Sequence, residues 1–129
     1  MKYESKVEEG ILFITLQGDL IEEFRGHRLL EIVNEQVQNQ VLLGAIDLSD
    51  VRYINSSGIG LLVSVLTKFR NRGGELVIIN PSEHSKKLLI ATKLYAIFTI
   101  ADSPESAAAL LHSVQLDPVA ESEETTELT

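Results

Sequence analysis

The sequence predicts an α/β fold in which a mixed, mostly parallel β-sheet is covered by about four helices. After an N-terminal hairpin, the hydrophobic pattern alternates between helical and strand spacing along the chain. The later strand segments are short apolar runs, which is typical of strands buried on both faces of a parallel sheet. Neither an internal repeat nor a linker interrupts residues 1–116, so we expect one domain there.

The individual elements follow from local patterns. A turn at residues 8–10 divides the hairpin 7–18 into a short, weak first strand and the apolar run 11–16. Apolar residues at helical spacing predict four helices, and runs of β-forming residues predict three later strands. The predicted helices are 22–37, 57–72, 81–92 and 104–114. The predicted strands after the hairpin are 41–48, 75–80 and 97–101.

Residues at the helix ends support these bounds. Gly73 and Gly74 follow the second helix and are expected to end it, since glycine readily adopts the left-handed conformation of a helix C-terminus. Ser103 is placed to cap the last helix, with Pro104 in its first turn.

Composition excludes several classes of protein. The 129 residues are 44% hydrophobic and 23% charged, as in globular proteins, and they include no cysteine for disulfides, thiolate metal sites or a thiol nucleophile. Acidic residues outnumber Lys and Arg by 19 to 11, so we expect no nucleic-acid partner. With no apolar run near the roughly 20 residues that span a bilayer and no signal-like N-terminus, we expect a cytoplasmic protein without a membrane partner.

The C-terminal segment differs from the rest of the chain. Residues 117–129 read DPVAESEETTELT and contain five acidic residues but no Lys or Arg. This composition predicts a solvated, disordered tail outside the domain, with an acidic partner-binding segment as the alternative.

Candidate catalytic groups are few. His27, His84 and His112 are isolated on predicted helices, and none has the spacing of a metal ligand. Neither a phosphate-binding loop nor a nucleophile elbow is present, and the run Gly58-Ile59-Gly60 is not a dinucleotide-binding fingerprint. We therefore predict a protein that is not an enzyme, with no catalytic residue, metal site or cofactor.

The segment 46–63, IDLSDVRYINSSGIGLLV, is the exception to this lack of chemistry. The simpler interpretation is that Ser56 or Ser57 caps the following helix, while Gly58 permits close packing. The alternative is a switch, because a phosphate on an exposed serine there would meet backbone N–H groups and the positive end of the helix dipole. Such a phosphate would add about two negative charges that could repel a partner.

The run from residue 46 to residue 80 resembles the sulfate transporter and anti-sigma factor antagonist (STAS) family. The shared features are a strand ending in Asp-Leu-Ser, a turn of the form Asn-Ser-Ser-Gly-Ile-Gly, a long helix, and Gly-Gly before the next strand. In element order the resemblance extends over about residues 3–116, and the chain is similar to the free-standing bacterial anti-sigma factor antagonists.

This resemblance implies a mechanism of partner switching. The unmodified protein would bind an anti-sigma factor that is also a serine kinase, and phosphorylation of Ser56 would release it. A serine phosphatase would reset the switch. Ser57 and Gly58 would shape the turn, Asn55 would precede the acceptor, and these residues with Ile59 would form the partner-binding turn.

The turn departs from the family pattern at one position. Many family members have Asp before the modified serine, whereas Asn55 here removes that negative charge. One alternative function is a scaffold subunit of a signalling or transport assembly, which would bind through the face at 54–59 without phosphorylation. A small hydrolase or transferase is disfavoured, since the sequence supplies no base beside either serine.

Overall fold

The computed structural model describes residues 2–20 and 23–114, and within them it has the predicted mixed α/β architecture. The strands are β1 (Lys2–Glu8), β2 (Ile11–Gln17), β3 (Leu43–Asp50), β4 (Glu75–Ile79) and β5 (Thr99–Ala101). The helices are α1 (Glu23–Gln38), α2 (Ser56–Arg70), α3 (Glu83–Ala91) and α4 (Pro104–Ser113). None of these helices is both long enough and apolar enough to cross a membrane.

The five strands form one sheet whose spatial order, β1-β2-β3-β4-β5, is also their order along the chain. β1 runs antiparallel to β2, and each later strand is parallel to the one before it. The sheet is therefore mixed and mostly parallel, as predicted, with the hairpin at one edge.

Helices cover both faces of the sheet. Because side chains alternate between faces along a strand, Leu12 and Ile14 pack with the buried sides of α1, α2 and α3, whereas Ile11 packs with α4 on the opposite face. The first face carries the larger core, which includes the fully buried Phe69 of α2. The second face is closed by small and branched residues of α4, among them Ala107.

Two helix ends, the C-terminus of α2 and the N-terminus of α4, form as their sequences predict. After α2, Gly73 has a φ of +81°, and the N–H of Gly74 donates to the carbonyl of Phe69 over 2.9 Å. Ser103 caps α4 by accepting a hydrogen bond from the N–H of Ser106, and Pro104 occupies the first turn.

Two strand predictions are wrong in extent. β1 is a full seven-residue strand with its side chains mostly exposed, although the sequence predicted a short, weak one. The predicted strand 97–101 contains only the three residues of β5, because a 3₁₀ helix, Tyr95–Ile97, precedes it. The predicted tail, 117–129, lies outside the described residues, so its disorder stays a prediction.

Candidate functional site

The turn singled out by the sequence lies after β3, at the carboxyl ends of two neighbouring parallel strands. Leu20, after β2, and Ile54, after β3, form an isolated parallel bridge. The N–H of Leu20 donates to the carbonyl of Tyr53 over 2.9 Å, which holds the two strand extensions together. Open α/β sheets usually present their binding sites at this end of the strands.

Asn55 is the N-cap of α2. Its backbone is extended (φ −113°, ψ −173°), and its side-chain oxygen Oδ1 accepts a hydrogen bond of 2.9 Å from the N–H of Gly58. The prediction that Ser56 or Ser57 caps the helix is therefore wrong, and α2 begins at Ser56 rather than at Ser57. The physical reason is that asparagine is as good an N-cap as serine.

Gly58 brings the start of α2 against the chain that follows β2. A Cβ atom at this position would lie 2.2 Å from the carbonyl oxygen of Leu20 and 2.7 Å from Cγ1 of Ile54. Both distances are far inside van der Waals contact, so no larger residue fits without movement of the backbone. The close packing expected of Gly58 is present.

The accessible part of the turn consists of Asn55, Ser56 and Ser57, which are all exposed. Ile54 and Ile59, on either side, are only 3% and 4% exposed and belong to the larger core. Ile59 therefore lies beneath the exposed residues of the turn, and its part in partner binding stays a prediction. A protein docking on the turn would meet residues 55–57, and Ile59 would support them from below.

The electrostatic setting of Ser56 suits an anion. Ser56 is the first residue of α2, where the N–H groups of the opening turn point outward and the helix dipole is positive. The first turn of α2 contains no acidic residue that would oppose a negative charge. The Ser56 hydroxyl makes no hydrogen bond within the described part of the chain, and the Gly58 N–H is satisfied by Asn55.

An aromatic cluster beside the turn was missed in the sequence. The ring of Tyr53, 47% exposed, meets the ring of His84 edge to face, with 5.0 Å between their centroids. The guanidinium carbon of Arg52 lies 5.1 Å from the centroid of the Tyr53 ring. Ser82, at the start of α3, donates from its hydroxyl to the Arg52 carbonyl over 3.1 Å. An aromatic residue in a polar loop directly before the turn is the signal that could have indicated this cluster.

The remaining two histidines lie on α1 and α4. His27 is exposed on α1, and Nε2 of His112 lies 3.1 Å from the carbonyl oxygen of Glu9 in the hairpin turn. Among residues 2–20 and 23–114, no group of three or more His, Asp or Glu side chains is arranged to hold a metal ion.

Sequence comparison gives a consistent set of relatives. BtrV of Bordetella bronchiseptica, whose name places it among the anti-sigma factor antagonists, is 28% identical over 109 residues, which cover 84% of this chain and 93% of BtrV. The anti-sigma F factor antagonist of Paenibacillus polymyxa is 24% identical over 121 residues, covering 88% of this chain and 97% of that protein.

The fold agrees with solved structures of the same kind. The anti-sigma factor antagonist SpoIIAA of Bacillus matches in its unphosphorylated form with a TM-score of 0.76 at 16% identity, covering 88% of this chain and 99% of SpoIIAA. Its phosphorylated form matches with a TM-score of 0.69 at 18% identity, covering 84% and 98%. The family model of the STAS domain matches residues 2–107, which is most of the chain. On the strength of that match, this protein belongs to the STAS domain family.

Proposed function

We propose that this protein is an anti-sigma factor antagonist that binds an anti-sigma factor through residues 55–57 and is released by phosphorylation of Ser56. The observation that carries the proposal is the position of Ser56. Its hydroxyl is exposed at the first residue of α2, and capping of the helix does not depend on it.

The names of the relatives support the class of partner. BtrV and the Paenibacillus polymyxa protein are both named as anti-sigma factor antagonists, and each aligns over more than nine-tenths of its own length. SpoIIAA, which shares the fold, has been solved with and without a phosphate. A protein of this type acts by binding, while a kinase and a phosphatase would supply the chemistry of the switch.

The mechanism rests on where a phosphate on Ser56 would place its charge. The dianion would lie at the N-terminus of α2, where the helix dipole stabilises it, so the domain keeps its fold. On the partner side, the same charge must be desolvated when the interface closes, and an unpaired charge in an interface costs several kcal/mol. The phosphate would therefore weaken the complex without unfolding the protein.

The first test compares Ser56→Ala and Ser56→Asp in binding to the cognate anti-sigma factor. Ser56→Ala is expected to bind within about twofold of wild type, because it removes only a hydroxyl at an exposed position. Ser56→Asp is expected to weaken the complex at least tenfold, which corresponds to about 1.4 kcal/mol. Calorimetry measures both affinities, and equal affinities for the two variants would contradict the switch.

A second measurement locates the modification. Incubation with the partner kinase and ATP is expected to add one phosphate, about 80 Da, to the wild type and to Ser57→Ala. Ser56→Ala should show no increase in mass. A phosphate that maps to any residue other than Ser56 would refute the assignment of the acceptor.

A constitutive scaffold subunit is the second candidate, favoured by Asn55. Many family members have Asp before the acceptor, whereas this chain has an amide whose oxygen accepts the capping hydrogen bond. A scaffold would bind its partner through the same exposed turn, but Ser56→Asp would then bind as tightly as Ser56→Ala.

A further inference from the structure

Strand β1 is a long, exposed edge of the sheet. In the described part of the chain it pairs with β2 alone, and six of its seven residues are exposed. One side of its backbone therefore presents unpaired N–H and C=O groups, which can pair with a further strand. The opposite edge, β5, is only three residues long.

The side chains of β1 alternate in charge on one face of the sheet. Lys2, Glu4, Lys6 and Glu8 lie on the face that carries Phe13 in β2. Lysines on an edge strand usually prevent it from pairing with copies of itself. In β1, however, each lysine is followed two residues later by a glutamate, so the charges of the strand balance.

This pattern is complementary to itself in one antiparallel register. A twofold axis perpendicular to the sheet keeps each face on the same side and reverses the strand direction. With the axis at Ser5, Lys2 lies opposite Glu8 of the second copy, and Glu4 lies opposite Lys6. On the other face, Tyr3 lies opposite Val7, and pairs of aromatic and β-branched residues stabilise antiparallel strands.

Neighbouring registers are unfavourable. An axis at Glu4 would place that carboxylate against its own copy and Lys2 against Lys6, and an axis at Lys6 would likewise oppose like charges. Axes at residues 3 or 7 would pair only part of the strand. In the single chain, Lys6 Nζ lies 3.5 Å from Glu8 Oε1 of the same strand, and both side chains are largely exposed. They are therefore accessible to a second copy.

We propose that two copies of this protein associate through antiparallel pairing of their β1 strands, centred on Ser5, to form a continuous ten-stranded sheet. An interface limited to one edge strand belongs to the small, transient class, below about 1,200 Å² of total buried surface. The dimer is therefore concentration-dependent. It leaves the Ser56 turn outside the interface, because that turn lies beyond β3 rather than on β1.

Disulfide trapping tests the register, since the wild-type chain contains no cysteine. Directly opposite residues of an antiparallel pair have Cα atoms about 4.5–5.5 Å apart, which suits a disulfide. Ser5→Cys is therefore expected to cross-link at least tenfold faster than Val7→Cys, whose thiol would lie on the same strand but away from the axis. Equal rates, or faster cross-linking of Val7→Cys, would overturn the proposed pairing.

Charge exchange tests the pairing without a covalent bond. Glu4→Lys places lysines opposite each other at two points and is expected to weaken dimerisation at least tenfold. The double variant Glu4→Lys/Lys6→Glu restores opposite charges at every pair and is expected to recover dimerisation. Glu31→Lys, an exposed site on α1, makes the same change in net charge and serves as the control.

Sedimentation equilibrium over a concentration series measures each association constant, with any purification tag placed at the C-terminus to leave β1 unobstructed. Thermal unfolding monitored by circular dichroism checks that each variant is folded. The proposal would be refuted if the wild-type protein remained monomeric at every concentration. This holds also if β1 is found to bind only a different protein. A double variant no more dimeric than Glu4→Lys would refute it as well.

Discussion

At the N-terminus of α2, the residue that caps the helix differs from the proposed site of phosphorylation. Asn55 supplies the acceptor for the Gly58 N–H, and Ser56 is the next residue along the chain. A phosphate on Ser56 would therefore not remove a cap from the helix. Had Ser56 itself been the cap, modification would have weakened the same helix whose dipole favours the phosphate.

Substitution of Asn55 tests this division of roles. Asn55→Ala is expected to lower the free energy of unfolding by about 1 kcal/mol, because the Gly58 N–H loses its acceptor. Asn55→Asp keeps an acceptor and adds a negative charge near the positive end of the helix dipole. We therefore expect its free energy of unfolding at pH 7 to equal that of wild type or to exceed it by up to about 1 kcal/mol. Urea unfolding measures both changes.

Ser56→Ala is the matched control for these variants. As an exposed residue that does not cap, it should alter the free energy of unfolding by less than about 0.5 kcal/mol. A loss as large as that of Asn55→Ala would contradict the assignment of the cap.

The sequence alone could not rank the three polar residues at this turn. Asparagine and serine have nearly equal capping preferences, so the run Asn55-Ser56-Ser57 is compatible with three helix starts. The choice is made by tertiary packing, because Gly58 must be the residue that meets the carbonyl of Leu20. That contact joins segments far apart in sequence and has no local signal.

At the scale of the element, two glycines near the start of α2 differ in the space that surrounds them. A Cβ atom on Gly58 would collide with backbone, whereas one on Gly60 would meet nothing within 4 Å. The first glycine is required by packing, and the second only lowers the helical propensity of α2.

Replacement of these two glycines by alanine is therefore expected to change the free energy of unfolding in opposite directions. Gly58→Ala is expected to lower the free energy of unfolding by about 1–3 kcal/mol, as overpacking does. Gly60→Ala is expected to raise it by about 0.5–1 kcal/mol, through the better helix propensity of alanine. Chemical unfolding of the two variants beside wild type measures both, and a shift of the same sign in both would show that α2 does not pack as described.

Element bounds were predictable to the extent that burial produces a periodic pattern. The second helix was predicted at 57–72 and extends over Ser56–Arg70, because its apolar stripe and terminal glycines are local signals. β1 was underestimated since an exposed edge strand contains few apolar residues to mark it. The sequence marks Tyr53 as an aromatic residue in a polar loop but does not identify its partner, because only the folded chain brings that loop against His84 of α3.

At the scale of the whole molecule, the described part of the core extends as far as α4. Within the described residues, the last member of either apolar cluster is Leu111, which packs α4 against the sheet. The acidic residues 117–129 follow this point. The domain predicted from the sequence, residues 1–116, therefore contains every described core contact.

Removal of residues 117–129 is accordingly expected to leave stability unchanged within about 0.5 kcal/mol. Thermal and urea unfolding of the shortened and full-length chains measure the difference. A loss of 1 kcal/mol or more would show that the tail packs on the domain. If stability is unchanged but affinity for the anti-sigma factor falls, the tail belongs to the binding surface.

The order of strands across the sheet has a consequence for biosynthesis. Each strand pairs with the one made immediately before it, so a strand leaving the ribosome finds its neighbour already synthesised. Pairing can then proceed from the hairpin towards β5 without waiting for a segment not yet translated. The sheet of such a nascent chain would grow at one edge only, while β1 remains the opposite, exposed edge throughout translation.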